Sequence, residues 1–216
     1  MKEKEEQRLK LLKEEENKLY QNKNIQYICG IDEAGRGPLA GPVVVGAVIM
    51  PKNSMIEGVN DSKKISEAKR EKLFELITKE AISYSVGIVD QTVIDDINIL
   101  NATKKALTES IMELETKPDV IMVDALNKID TCGIPYISVI KGDARIYSIS
   151  CASIIAKVTR DRMMYEYDKV YPVYGFAKHK GYGTAFHIQA IKDNGLCMIH
   201  RKSFIKERWL HKETNE

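Results

Sequence analysis

GIDEAGRGPLAGPVVVGAVI, residues 30–49, sets two neighbouring carboxylates, Asp32 and Glu33, directly before a loop rich in glycine. Apolar residues flank this loop, and short apolar runs bounded by turn residues predict β-strands. Sites in α/β sheets gather where strands end, so the position of the two acids indicates function. A loop that suits an anion is weakened by carboxylates beside it, unless a positive charge lies between them.

The chain on either side of this stretch alternates between strand and helix patterns. Apolar runs predict strands in the segments 25–31, 42–50, 81–89, 119–126 and 134–140. Helical spacing predicts helices at 66–80, with Ser66 as N-cap, at roughly 98–115 and at roughly 144–170. Three early strands, followed by strands that alternate with helices, predict an α/β fold with a mixed sheet and helices packed on it.

The two ends of the chain differ in charge from the middle. Residues 1–23 carry nearly alternating Glu and Lys with a thin stripe of leucines, Leu9, Leu12 and Leu19, which predicts a solvent-exposed helix. Segment 178–212 has a net charge of +6, against +2 for the whole chain. A basic region on a nearly neutral protein is typical of a polyanion contact, although a solvated helix face gives the same pattern.

Composition limits the classes of protein that fit. The 216 residues, 44% of them hydrophobic, suffice for one ordinary domain with a core. No apolar run approaches the roughly 18 to 20 residues that span a bilayer, and MKEKEEQRLK is no signal peptide, so we expect a cytoplasmic protein without a membrane partner. The cysteines have no paired spacing that would indicate a zinc site or a disulfide framework: Cys29, Cys132, Cys151 and Cys197.

Two further acids extend the candidate site. Asp124 directly follows the apolar run 120–123, and Asp143 lies between the last strand and the long helix. A turn cap for Asp124 and a helix N-cap for Asp143 remain alternative interpretations. Four carboxylates at strand ends suit Mg²⁺ or Mn²⁺, which prefer oxygen ligands. Because adjacent strand residues point to opposite faces, Asp32 and Glu33 are expected to converge only where the strand breaks or bulges.

Two loops supply candidate contacts for a substrate. AGRGPLAGP matches neither a P-loop nor GxGxxG, so we interpret its glycines as a backbone that approaches a ligand closely, with Arg36 available for a phosphate. Segment 176–187 surrounds two glycines with basic and aromatic residues: Lys178, His179, Lys180 and Tyr182. This composition is typical of a loop that holds a nucleic-acid backbone, and the flanking glycines predict an exposed Tyr182 ring.

Lys63, at a helix start, offers a second phosphate contact or is merely solvated. The other histidines lie too far apart to be assigned as ligands: His187, His200 and His211.

An ordered set of motifs resembles the ribonuclease HII family, the type 2 ribonucleases H. The motifs cover about residues 27–204: GIDEAGRGPLAGPVV, NDSKKIS, INILNATKKAL, IMVDAL, IKGDARIYSISCASIIAKVTRDRMM and KHKGYGTAFH. The resemblance implies a ribonuclease H-like fold, a five-stranded mixed sheet flanked by helices, with a small helical C-terminal region. We therefore expect a charged helical extension at 1–23, a catalytic domain at 24–176 and a basic helical region at 177–216.

The resemblance also implies an activity. It implies endonucleolytic hydrolysis of the RNA strand in RNA–DNA hybrids, and cleavage 5′ of a ribonucleotide embedded in duplex DNA, for ribonucleotide removal in replication and repair. The enzyme would be a monomer that uses two divalent ions, Mn²⁺ or Mg²⁺. The family's metal carboxylates fall on Asp32, Glu33 and Asp124, with Asp143 as the fourth acid. Its substrate-contacting GRG motif and its tyrosine, which sense a 2′-hydroxyl at the junction with DNA, fall on Gly35, Arg36, Gly37 and Tyr182.

Two other classes share part of this pattern. Another metal-dependent nuclease on the same fold, such as a resolvase, would share the carboxylates but would not need the glycine loop and Tyr182. A non-catalytic nucleic-acid-binding module would explain the basic segment, but clustered acids repel a phosphate backbone unless a metal neutralises them. Loss of divalent-metal binding in Asp32→Asn combined with Asp124→Asn would separate a nuclease from such a module.

Overall fold

A five-stranded mixed sheet forms the centre of the protein. The structure is a computed structural model and describes residues 2–210. The spatial order of the strands is β3-β2-β1-β4-β5. The strands are β1 (Ile28–Ala34), β2 (Val43–Ile49), β3 (Ser83–Val89), β4 (Val120–Asp124) and β5 (Tyr136–Val139). The first three pair antiparallel, whereas β4 and β5 run parallel to β1. The predicted α/β fold with a mixed sheet is confirmed.

Helices cover both faces of this sheet. They are α1 (Glu3–Leu12), α2 (Glu14–Leu19), α3 (Glu67–Glu80), α4 (Gln91–Met112), α5 (Tyr147–Val170), α6 (Phe176–His179) and α7 (Ala185–Asn194). Helix α4 packs on one face of β1 to β3, and α5 and α3 pack on the other. Within residues 2–210, no helix combines the length and apolar character that a membrane crossing needs.

Two glycines bring α5 close to the strand that carries the acids. A Cβ atom at Gly30 would lie 2.1 Å from the carbonyl carbon of Ser148, and one at Gly46 would lie 2.6 Å from the carbonyl oxygen of Ala152. A side chain at either position would push the helix away from the sheet. The glycines therefore fix the distance between β1 and the polar side chains of α5.

Helix α4 starts earlier than the sequence pattern predicts. Helix α4 begins at Gln91, capped by Asp90, and Asn98 breaks its regular geometry with a φ of 66°. Because the Asn98 side chain accepts hydrogen bonds from the amides of Leu100 and Asn101, the sequence pattern detected only the second helical segment. Ser66 caps α3 as expected, by accepting from the amide of Lys69.

The N-terminal extension is helical as expected, but its predicted solvent exposure is wrong for one face. Leu9 and Leu12 are buried in the same cluster as residues of α3 and α5. The buried Glu16 carboxylate accepts the backbone N–H of Ser148 at 2.7 Å, and the Lys13 ammonium donates to the carbonyl of Ser54 at 2.9 Å. The thin leucine stripe is sufficient for packing because the charged residues beside it find buried backbone partners.

The C-terminal region is helical, with α6 and α7 followed by single 3-10 turns at Lys202–Phe204 and Glu207–Trp209. Its apolar side chains pack against Leu39 and Met164, so this region closes one end of the glycine loop. Residues 211–216 lie outside the described residues, and with them His211 and Lys212, the last basic residue of the predicted basic segment.

Candidate active site

Three of the predicted acids, Asp32, Glu33 and Asp124, meet at one edge of the sheet, which we call the acidic edge. Asp32 and Glu33 lie near the end of β1, and Asp124 is the last residue of β4. The register pairs Ile31 with Val123, so the residues that follow, Asp32 and Asp124, lie level on neighbouring parallel strands. The carboxyl ends of parallel strands meet at the same edge, which brings these acids together.

The expected break between the two neighbouring acids does not occur. Asp32 pairs with Gly46 and Glu33 with Val45, and this antiparallel ladder continues without a bulge to Ala34. Asp32 therefore lies on the α5 face of the sheet with Gly30, whereas Glu33 lies on the opposite face. The chain turns only after Ala34, at Gly35, which has a φ of 97°. The charge of Glu33 still raises the pKa of Asp32 although the strand is regular.

Burial and mutual repulsion disfavour the charged form of all three acids. Burial, and then the charge of Glu33, raise the pKa of Asp32 well above its usual value, and a hydrogen bond from Ser153 opposes this. Burial also raises the pKa of Glu33, against the attraction of Arg36, whose guanidinium lies 3.3 Å away. Burial raises the pKa of Asp124, opposed by the N–H of Gly142 at 2.7 Å. The site holds more negative charge than its neighbours compensate.

Asp143 and Lys63 lie beside these acids. Asp143 is buried in the 3-10 turn Gly142–Ala144, four residues before the start of α5. The interpretation of Asp143 as the N-cap of α5 is wrong, because the N-cap position is Ile146. The carboxylate of Asp143 instead accepts from the Lys63 ammonium at 3.2 Å. Lys63 is thereby held at the acidic edge, with most of its side chain in solvent.

The acids provide oxygen ligands but do not yet enclose an ion. Among residues 2–210, no three carboxylate, histidine or cysteine side chains surround a single metal position. A donor set made only of carboxylates fits the hard ions Mg²⁺ and Mn²⁺.

A cavity of about 330 Å³ joins the acidic edge to the predicted substrate loops. Six of the residues that line this cavity were predicted from the sequence as site residues: Glu33, Gly35, Arg36, Gly37, Lys63 and Tyr182. The ring of Tyr182 lies against Gly37, where an added Cβ would be 3.6 Å from a ring carbon, and 47% of Tyr182 is exposed. The expectation of an exposed tyrosine ring is confirmed.

Sequence reasoning missed the contribution of α5 to this cavity. Ser153, Lys157 and Arg160 line it from one face of the helix. Their spacing of four and three residues, which places them on one face of the helix, was the signal that could have identified them. Lys157 is paired with Asp161 at 2.6 Å, so its charge is partly neutralised by its own helix.

The loop that carries Tyr182 differs from expectation in one lysine. Lys180 is only 8% exposed. Its ammonium donates to the hydroxyl of Tyr165 at 3.1 Å and to the carbonyl of Ala177, and it lies over the Tyr165 ring. The prediction that Lys180 helps to hold a nucleic-acid backbone is wrong, because its charge is committed within the protein. Lys178 remains exposed.

Histidines that are far apart in sequence meet below Tyr182. The Nε2 atoms of His187 and His200 lie 3.1 Å apart. His200 Nδ1 accepts the N–H of Cys197 at 2.9 Å, which leaves its Nε2–H to donate to His187. His187 Nδ1–H then donates to the carbonyl of Tyr182 at 2.9 Å. Burial lowers the pKa of both rings to about 4, consistent with two neutral tautomers that hold the tyrosine backbone.

Solved structures with a similar fold define the class of protein. Ribonuclease H2 from Pyrococcus horikoshii superposes with a TM-score of 0.71 at 29% identity, covering 82% of this chain and 93% of that one. A ribonuclease HIII, Bst-RNase HIII in complex with Mn²⁺, superposes with a TM-score of 0.64 at 17% identity, covering 85% of this chain and 68% of that one. The fold is that of the ribonucleases H, as the resemblance implied.

Sequence comparison assigns the family within this class. The model of the family Ribonuclease HII matches residues 29–211. Ribonuclease HII from Ruminiclostridium cellulolyticum is 56% identical over 185 residues, which cover 86% of this chain and 72% of that protein. The chain belongs to the ribonuclease HII family. It is therefore a hydrolase, a nuclease of the ribonuclease H type.

Proposed function

We propose that this nuclease hydrolyses the RNA strand of RNA–DNA hybrids and cuts on the 5′ side of ribonucleotides embedded in duplex DNA. The observation that carries this proposal is the shared cavity, in which the acidic edge at Glu33 meets the loop Gly35–Gly37 and the ring of Tyr182. A cavity that combines a hydrolytic edge with a sugar-sized contact surface suits cleavage beside a ribose. We further propose that the products carry 5′-phosphate and 3′-hydroxyl ends, and that the activity serves ribonucleotide removal in DNA replication and repair.

Two divalent ions, Mn²⁺ or Mg²⁺, would be held by Asp32, Glu33 and Asp124. The fit rests on an all-oxygen donor set and on raised carboxylate pKa values, because a bound cation offsets both the burial and the mutual repulsion that raise them. When bound, such ions supply an activated water and stabilise the leaving oxygen of a phosphodiester. Asp143, tied to Lys63, would act as the fourth acid of the site.

The remaining residues would bind and orient the substrate. Arg36 and Lys63 are the exposed cations nearest the acids, and each is near enough to a carboxylate to exchange that partner for a phosphate. The backbone of Gly35–Gly37 would contact the 2′-hydroxyl, the group that distinguishes RNA from DNA. The Tyr182 ring would pack on the neighbouring sugar at the junction.

We propose that the enzyme acts as a monomer in the cytoplasm. The acids, the glycine loop and Tyr182 all lie on one chain, so the proposed site needs no residue from a second copy. The four cysteines are free thiols, which suits a reducing compartment. Light scattering of the purified protein tests the first statement: a dimer at the concentrations used for cleavage would contradict it.

Nicking of a DNA duplex that contains one ribonucleotide tests the activity. With Mn²⁺ or Mg²⁺ present, we expect a single cut 5′ of the ribonucleotide, with no cut in the all-DNA duplex or in chelator. Asp124→Asn is the matched control, because the amide keeps the acceptor for Gly142 but removes the charge. Absence of a cut by the wild type, or an equal cut by Asp124→Asn, would contradict the proposal.

A further inference from the structure

Two arginines are fully buried and have no acidic partner. Arg160, on α5, is 1% exposed, and Arg201, in the C-terminal region, is 0% exposed. Throughout residues 2–210, neither guanidinium has a carboxylate within ion-pairing distance. A buried cation without a counter-ion is costly, so its hydrogen bonds must compensate.

Backbone carbonyls of the glycine loop supply that compensation. Arg201 donates from Nε to Gly41, from Nη1 to Arg36 and Pro38, and from Nη2 to Gly35, over distances of 2.6 to 3.1 Å. Arg160 donates to Pro42 at 2.9 Å and to Ala40 at 3.0 Å. Six carbonyls between residues 35 and 42 are thus turned towards two guanidinium groups.

Arg160 also connects this loop to the one that carries Tyr182. Its Nη1 donates to the carbonyl of Lys180 at 2.9 Å. Backbone bonds reinforce the connection, from Leu39 to Gly181 and from Arg201 to Leu39, each at 2.8 Å. One guanidinium therefore holds both walls of the cavity, and only the planar, five-donor arginine fork can reach these carbonyls together.

The first glycine of the loop is required by the arginine beneath it. A Cβ at Gly35 would lie 2.1 Å from Nε of Arg160. At Gly41 the nearest obstacle would be the Met164 sulfur at 2.5 Å, with Nη2 of Arg160 at 3.4 Å. The missing side chain at Gly35 thus makes room on the inner side of the loop. Burial lowers the pKa of Arg160 to about 10 and of Arg201 to about 9, so both remain charged near neutral pH.

We infer that Arg160 and Arg201 are positioning residues that fix loop 35–42 and the Tyr182 loop in one arrangement, and thereby set recognition of the ribose. The inference rests on the proposed function, because it takes these two loops to be the ribose-contacting surface. Arg160 forms part of the cavity wall but is almost fully buried, and both arginines bond to backbone carbonyls, so they act through the loop backbone. The two arginines bond to the loops and not to the acids that would hold the metal.

Lysine variants test the inference because they keep the charge but lose the fork. We expect Arg160→Lys and Arg201→Lys each to lower kcat/KM at a single ribonucleotide by about 30-fold, since small misplacements of positioning groups have effects of this order. Mn²⁺ affinity, measured by calorimetry, should stay within about twofold because the carboxylates are untouched. Arg162→Lys, on the exposed face of the same helix, is the matched control and should cut like the wild type.

A double-variant experiment separates positioning from general stability. In a Tyr182→Ala background the tyrosine contact is already lost, so Arg160→Lys should cost less than about threefold. A merely structural role would give the same loss in both backgrounds. If the lysine variants do not fold, Gly35→Ala displaces Arg160 from the opposite side and should raise KM for the ribonucleotide substrate while both arginines are intact.

The outcomes are distinguishable from failure of the proposed function. If the wild type does not nick the ribonucleotide duplex, the proposed function fails. If the wild type cuts and the folded lysine variants cut within about twofold of it, only the positioning inference is overturned. Equal losses with and without Tyr182 would overturn it as well.

Discussion

The protein contains two sets of buried charged groups, which differ in how far their neighbours compensate the charge. The acids Asp32, Glu33 and Asp124 have few partners, and their pKa values are raised by burial and by one another. The arginines Arg160 and Arg201 have carbonyls for their donors and are enclosed completely. Charge that a fold leaves uncompensated marks the place where a ligand is expected, whereas compensated charge belongs to the scaffold.

Because the two sets differ in compensation, substitutions of the acids should affect activity, whereas substitutions of the arginines should affect stability. Neutralising an uncompensated acid removes repulsion from the folded protein, so function suffers while stability does not. Removing a compensated arginine leaves carbonyls without donors, so the fold itself is weakened. The following four predictions test this contrast.

Replacing two acids with amides should have the largest effect. We expect Asp32→Asn combined with Asp124→Asn to lower cleavage at least about 10³-fold, or ~4 kcal/mol of transition-state stabilisation, because the metal ligands are lost. Thermal unfolding in chelator should occur at the same or a higher temperature than in the wild type, since like charges are removed. A variant that loses both activity and stability would show that these acids are structural.

Replacing a buried arginine with an apolar residue should affect stability next most strongly. Arg201→Met leaves four carbonyls without their donor, and we expect a loss of about 3–5 kcal/mol in the free energy of unfolding, measured with urea. Arg162→Met removes a surface pair with Glu71 and a guanidinium that lies over the Phe74 ring, and it should cost about 1 kcal/mol or less. Similar small losses for both variants would contradict the contrast.

The buried histidines make the stability of the folded protein depend on pH, and their lowered pKa values give the sign of that dependence. Their pKa is about 4 in the folded protein and 6.5 without burial, so the unfolded chain binds more protons between these values. The stability that they contribute is present above pH 6.5 and is lost as the pH falls towards 4, on the order of 2 kcal/mol for each histidine.

His187→Asn isolates this contribution. The asparagine amide keeps a donor for the Tyr182 carbonyl but does not titrate, so we expect the acid-induced loss of stability to be about half that of the wild type. The acids with raised pKa values act in the opposite direction over the same range, and the difference between the two proteins removes their contribution. Identical urea midpoints against pH in both proteins would contradict the neutral histidine pair.

The smallest effect is expected at the cavity rim. Tyr182→Phe keeps a ring over Gly37, so cleavage at a single ribonucleotide should fall less than about threefold. Tyr182→Ala removes the ring, and we expect about a tenfold loss there but a smaller loss on long hybrids, which offer many ribose contacts. Equal losses on both substrates would indicate that Tyr182 only packs.

The fold and the acidic edge were predictable from sequence because their signals are local. Apolar runs identified every strand, and acids directly after two of them identified the edge. Other features depend on partners far along the chain. Arg201 hydrogen-bonds to Gly35, 166 residues away, and His187, on α7, meets His200 only when the segment after that helix pairs with Ala40. Lys180 had the composition of a substrate contact, but the Tyr165 hydroxyl that binds it could not be anticipated.

The burial of the N-terminal helices has a consequence for the order in which the protein assembles during synthesis. The Glu16 carboxylate bonds to Ser148, which comes 132 residues later in the chain. Contacts this distant in sequence form late, because a long loop must close first. The same helices bond to residues 52–59, much nearer in the chain, so those contacts can close earlier. The bond from Glu16 to Ser148 completes the docking of the extension only after α5 has been synthesised.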